Sequence, residues 1–151
     1  MTITMRRATT ADVSSIVDML ADDILGAQRE DPADLAPYLA AFARIDADPN
    51  QHLLVAERPA DGRVVGTLQL SVIHGLSRRG SSRALIEAVR VHADERGAGL
   101  GSELIRQAVA EARRHGCVLV QLTSDAARAD AHRFYERLGF KATHVGFKLA
   151  L

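Results

Sequence analysis

Three glycines in five residues, Gly97-Ala98-Gly99-Leu100-Gly101, stand where an apolar run changes period. Before them, Ala84 to Val91 reads as a strand, and His92 to Arg96 connects it to the glycines. After them, Leu100, Leu104, Ile105, Ala108, Val109 and Ala112 repeat at helical spacing. Glycines at a helix start let backbone N–H groups approach a ligand closely. Those groups have no intrahelical partner, and the helix dipole favours negative charge there. The chemistry on offer is a phosphate cradle after a strand; a plain tight turn is the bland alternative. Glu87 lies in that strand, on the same side as Val89 and Val91 by the period of two. A carboxylate among apolar neighbours is costly unless it faces a cleft or a partner such as Arg83 or Arg90. Tyr135 shares a helical stripe with Ala127, Ala131, Phe134 and Leu138, which taken alone is a core pattern.

Two other phosphate-binding patterns fail. No Gly-Lys-Ser/Thr follows, as a P-loop requires. A dinucleotide fold needs its first glycine almost directly after the strand, and His92 to Arg96 intervene. The same connector argues against a nucleotide-binding α/β domain with Asp125 as ribose ligand.

Arg96-x-x-Gly99-x-Gly101, after Glu87-x-Val89-x-Val91, resembles the acetyl-CoA motif of the GNAT superfamily of N-acetyltransferases. Ala131-His132-Arg133-Phe134-Tyr135-Glu136-Arg137-Leu138-Gly139-Phe140 resembles the superfamily's Ala-x-x-Phe-Tyr-x-x-x-Gly-Phe helix. The order and spacing of the two are more specific than either alone. Asp48-Pro49-Asn50-x-His52, Leu122-Thr123-Ser124, Arg128-x-Asp130 and His144 near Phe147-Lys148 are similar to the aminoalkylphosphonate N-acetyltransferases.

The resemblance implies acetyl-CoA as cosubstrate and direct transfer, in a ternary complex, to the amine of a small molecule. Main-chain groups of Val89, Arg90 and Val91 would meet the pantetheine arm, and Arg96, Gly97, Ala98, Gly99, Leu100, Gly101 and Ser102 the pyrophosphate. Ser124, Arg128, His132 and Phe134 are further cofactor contacts; where the superfamily often has Asn, this chain has Arg128. His132 alternatively is a hydrogen-bonded structural histidine. Tyr135 stands where the superfamily's tyrosine protonates the departing thiolate, and Glu87 is the candidate base. An alkylamine has a pKa of about 10.4 and must lose a proton to attack. The helical region before residue 45 borders the acceptor site in the superfamily, which makes Gln28, Arg29, Glu30 and Tyr38 candidate contacts. Arg78 and Arg79, in a loop that also carries Arg83, would pair with an anionic acceptor. They alternatively reach the CoA 3′-phosphate or stay solvated. A CoA-binding regulatory module without transferase activity, or a protein or peptide acceptor, are the alternatives.

Length and composition agree with a single α/β (α+β) domain at residues 1–151. The resemblance implies a mixed, mostly antiparallel sheet of six to seven strands, its fourth and fifth parallel and splayed, with about four helices. The pattern reads β-α-α-β-β-β-α-β-α-β-β. Cys117 to Leu122 reads as a central strand, Asp31-Pro32 as a helix start, and Lys141 to His144 and Phe147 to Leu151 as closing strands. Nineteen basic residues balance nineteen acidic ones, which gives no reason to expect nucleic acid or an anionic membrane as partner. No apolar run approaches the roughly 20 residues that span a bilayer, and the first ten residues have no apolar core of a signal peptide. A lone Cys117 suits a reducing cytosol. The six histidines show no zinc-site spacing. The resemblance leaves room for a divalent metal and for a homodimer through the C-terminal strands.

Overall fold

The computed structural model describes residues 2–151. They form two compact units, one ending at Gln121 and the other spanning Leu122–Leu151.

The first unit is built on β1 (Thr4–Arg7), α1 (Val13–Ala21), α2 (Gly26–Arg29), α3 (Ala36–Ala47), β2 (Gln51–Arg58), β3 (Arg63–His74), α4 (Ser77–Gly80), β4 (Ser82–Val91), α5 (Leu100–Arg114) and β5 (Cys117–Gln121). The five strands lie in chain order, antiparallel except for β4 and β5. The β4–α5–β5 crossover is the parallel unit that the sequence pattern implies.

Helices cover both faces of this sheet. On one, Val13, Ile16 and Val17 of α1 and Phe42 of α3 pack with Val55 of β2. On the other, α5 buries Leu104, Ile105, Ala108 and Ala112. Gly66 permits that approach, since a Cβ there would sit 2.9 Å from Leu104 Cδ1. Burial of a side chain such as Leu104 contributes about 1.5–3 kcal/mol. Ahead of α1, Asp12 accepts from the Thr9 backbone N–H at 2.7 Å and binds Arg6 through both carboxylate oxygens. That guanidinium is the main reason the Asp12 carboxyl lies below its ordinary range.

Several boundaries differ from the sequence pattern. Gly26 opens α2 rather than closing α1, and a Cβ there would lie 1.9 Å from the Leu20 carbonyl oxygen. The second long helix starts at Ala36, not near Asp31, with proline in its first turn where a missing N–H is harmless. β5 is an edge strand rather than a central one, with Val118 63% exposed. In β4 the period of two breaks. Glu87 opposes Gln69 and Arg90 opposes Thr67, whereas Val91 opposes Gly66, with the register shift between Thr67 and Gln69. This is a β-bulge at Ala88, whose φ is +53°. Glu87 therefore shares a face with Arg90 and not with Val91.

In the second unit, α6 (Ala129–Arg137) ends at Gly139, which has a φ of +94°. Tyr135 packs edge-on to Phe134 and Phe140, at centroid distances of 5.1 and 5.8 Å. The closing strands expected at residues 141–144 and 147–151 do not form. The sheet has five strands rather than six or seven, and there are six helices rather than about four among the described residues. Alternation alone cannot make a strand; its N–H and C=O groups need a neighbouring strand, and these segments pair with none. The two extra helices, α2 and α4, are single turns of four residues.

Candidate functional site

Pairing decides what β4 offers. It runs beside β5 from Ser82 only to Leu85, opposite Gln121, while β3 accompanies it to Val91. From Ile86 onward, β4 pairs with β3 alone, because β5 ends at Gln121. Main-chain groups of Val89, Arg90 and Val91 lie along that edge.

The connector beyond Val91 is anchored rather than slack. His92 donates its N–H to the Val65 carbonyl at 2.8 Å. Glu95 is buried and ion-paired with Arg58. Arg96 turns to the end of α1, where its guanidinium is 3.3 Å from both the carbonyl and the carboxylate of Asp22. Gly97 and Gly99 then adopt left-handed φ values of +84° and +80°, and a Cβ on either would meet nothing within 4 Å. Gly99 is the N-cap of α5, with Leu100, Gly101 and Ser102 in its first turn. Backbone conformation and open space at the start of a 15-residue helix fit an anionic diphosphate. Ala98 is exposed between the two glycines.

Glu87 is exposed, and neither proposed partner takes it. Arg90 instead reaches Asp23 at 3.3 Å and donates to the Val89 carbonyl at 2.9 Å. On the same side of the sheet, an apolar cavity of about 110 Å³ lies between α1, α3 and the strands. Tyr38, Ala41, Leu53, Gln69 and Ala88 are on its wall. The Tyr38 hydroxyl accepts from the Asp31 N–H at 2.9 Å and donates to Glu30 at 3.1 Å.

Arg78 and Arg79 are exposed in α4, with left-handed φ values of +52° and +60°. Their turn joins β3 and β4 beyond the His74–Ser82 pair, five residues along β3 from the Gln69–Glu87 pair. At about 3.3 Å per residue the two are roughly 16 Å apart, so the fold does not bring these arginines to Glu87.

In the second unit, the Asp125 carbonyl accepts from the Arg128 N–H at 3.0 Å and from the His132 Nε2–H at 2.8 Å. His132 thus braces the loop ahead of α6. Arg128 is the N-cap of α6, the Ser124 hydroxyl is buried without a protein partner, and Phe134 and Tyr135 are half-buried. No group of three or more His, Cys, Asp or Glu is placed to hold a metal among the described residues.

Sequence patterns missed Asp22 and Asp23, which tie α1 to Arg96 and Arg90. Two acids at a helix end look like solvated surface, and nothing short of the fold marks them. The cavity wall was legible only as helical periodicity, which describes a filled core equally well.

The Acetyltransferase (GNAT) family profile matches residues 16–140. An aminoalkylphosphonate N-acetyltransferase of Salmonella typhimurium is 33% identical over 150 residues, covering 97% of this chain and 90% of that one. A glucosamine 6-phosphate N-acetyltransferase of Trypanosoma brucei brucei is 38% identical over 90 residues, covering 60% and 59%. A crystal structure described as a transcriptional regulator from Bacillus halodurans C-125 superposes with a TM-score of 0.93 at 45% identity, over 99% of this chain and 100% of that one. No described helix is long and apolar enough to cross a membrane. The β4 edge beyond Leu85, the glycine N-cap of α5 and these matches converge: the chain belongs to the acetyltransferase (GNAT) family, acyltransferases that use acetyl-CoA as cosubstrate.

Proposed function

We propose that this enzyme acetylates the primary amine of a small anionic molecule by direct transfer from acetyl-CoA. The observation that carries the reading is β4 itself. Its pairing with β5 ends at Leu85, it keeps Glu87 exposed, and it leads into the left-handed glycines at the head of α5.

Acetyl-CoA supplies an activated acetyl group and a diphosphate by which it can be held. The backbone from Arg96 to Ser102 holds the diphosphate, and Asp22 holds the Arg96 side chain so that the loop keeps its course. A main-chain N–H at Val89 or its neighbour donates to the oxygen that gains negative charge during transfer. Glu87, directly or through water, accepts the proton that the ammonium must lose. Tyr135 donates a proton to the departing thiolate; this role rests on the match of residues 131–140 to the superfamily helix. Ser124, Arg128, His132 and Phe134 flank Tyr135 in the chain and are assigned to the cofactor on the same ground.

An anionic acceptor is supported by the relatives, whose names specify aminoalkylphosphonates and glucosamine 6-phosphate, both amines with phosphorus oxyanions. Arg78 and Arg79 are the proposed anion contacts, and the distance of their turn from Glu87 calls for an acceptor that spans it or a turn that moves. Thiol release measured over a panel of amines tests the reading. Aminophosphonates should outrun neutral amines and polyamines, and Arg78→Ala with Arg79→Ala should raise KM for the anionic amine alone. A shift confined to the acetyl-CoA KM would reassign the arginines to the cofactor. Thiol release from no amine, with acetyl-CoA still bound, would favour a non-transferring CoA-binding module.

A further inference from the structure

We infer that the cavity beside Glu87 is a subsite for a hydrocarbon arm of the acceptor, about four carbons long, carried near the reacting amine. The inference rests on the acetyltransferase reading above and adds a specificity that the anionic group does not supply.

Position comes first. Gln69 and Ala88 both line the cavity. Gln69 lies directly opposite Glu87 on the neighbouring strand, and opposed side chains share a face of the sheet. An amine giving its proton to Glu87 therefore stands on the cavity's face of the sheet, beside Gln69 and Ala88 of its wall. The bulge at Ala88 creates this arrangement. A regular strand would put residue 88 on the α5 face, whereas the left-handed residue opens the wall toward α1 and α3.

The chemistry of the wall then selects the occupant. Most of it is aliphatic or aromatic, and each of its polar side chains makes at least one hydrogen bond within the protein. Thr67 Oγ1 donates to the Leu54 carbonyl at 2.8 Å. Gln69 Nε2 donates to Gln51 Oε1 at 2.8 Å. The Tyr38 hydroxyl is held by Asp31 and Glu30, which leaves the ring to the cavity. No lysine, arginine or histidine is on the wall. A phosphonate or carboxylate placed there would be desolvated without a counter-charge, while a hydrocarbon would lose only water contact. The anionic end of the acceptor must lie elsewhere.

Volume sets the length. A dry cavity of about 150 Å³ holds the six carbons of benzene, so the 110 Å³ here holds about four.

The test uses the full chain with saturating acetyl-CoA and primary amines of one headgroup, the arm on the amine-bearing carbon growing from methyl to hexyl. Each methylene should raise kcat/KM about fourfold, the equivalent of ~0.8 kcal/mol, up to about four carbons, and longer arms should fall off. Two variants move the optimum in opposite directions. Ala41→Leu narrows the cavity from α3 and should shift it about two carbons shorter; Leu20→Ala widens it from α1 and should shift it longer. Opposite shifts cannot come from a general loss of stability. Thiol release that ignores arm length, or variants that scale every arm alike, would overturn the subsite and leave the transferase standing. Release from no amine would overturn both.

Discussion

Gly99 separates the cost of folding from the cost of binding. Its φ of +80° lies where an L-residue is strained, and a Cβ there meets no atom within 4 Å. Gly99→Ala therefore carries a backbone cost without a steric one, about 1–2 kcal/mol. For a chain of this size each kcal/mol lowers Tm by about 2–4 °C, so a fall of roughly 2–8 °C is expected. Gly99→Glu carries the same backbone cost, since its side chain also projects into open space, and the two variants should melt within about 2 °C of each other. They should part on binding. A carboxylate near a diphosphate opposes it by roughly 1–4 kcal/mol per charge pair in a partly solvated setting, so acetyl-CoA should bind Gly99→Glu at least tenfold more weakly than Gly99→Ala. Differential scanning calorimetry of the free protein gives the first comparison and titration calorimetry with acetyl-CoA the second. Added salt should narrow the gap, because exposed charges are screened. Wild-type affinity in a folded Gly99→Glu protein would remove the diphosphate from the head of α5. Equal melting of Gly99→Ala and the wild type would mean that the loop relaxes out of its left-handed turn.

Tyr135→Phe should lower kcat by about 10²- to 10⁴-fold with little change in acetyl-CoA affinity; an unchanged kcat would return Tyr135 to a packing role beside Phe134 and Phe140. Glu87→Gln should flatten the acidic limb of the kcat/KM pH profile, and a limb that keeps its shape would mean another base. His52 should make the fold acid-sensitive. It is buried, 4.3 Å from the His115 ring, and accepts from Arg7 Nη1 at 2.8 Å. Burial first, then the charges of His115 and Arg7, hold its pKa below the ordinary value of 6.5. The unfolded chain then binds more protons than the folded one, so stability present above about pH 6.5 is lost as pH falls toward the folded pKa. Urea midpoints from pH 7.5 to 5 should slope less in His52→Gln than in the wild type, and parallel slopes would discard the assignment.

Much of this was legible before folding, because it depends on short segments. The change of period at residue 100, the crossover from β4 to β5 and the glycine N-cap are local facts of residue type and spacing. So is the pair of motifs that marks the family. Helical and strand periods predicted α5, β4 and β5 to within a few residues, since each follows a local pattern.

What the sequence could not state depends on partners distant in the chain. Strand alternation put Glu87 with Val91, and the bulge at Ala88 put it with Arg90, because a register is a relation between two strands. The same bulge opens a cavity that apolar spacing in α1 and α3 would equally have filled. Asp22 and Asp23 matter only because the fold carries Arg96 and Arg90 to them. The alternation of Val145, Phe147, Leu149 and Leu151 reads as a strand, yet those residues are exposed and unpaired with any strand. Sequence determined which groups this protein has for the proposed binding of a diphosphate and transfer of a proton. Tertiary pairing decided which way β4 turns them, because the face that a side chain presents is set by its neighbour's hydrogen bonds as well as by its own residue type.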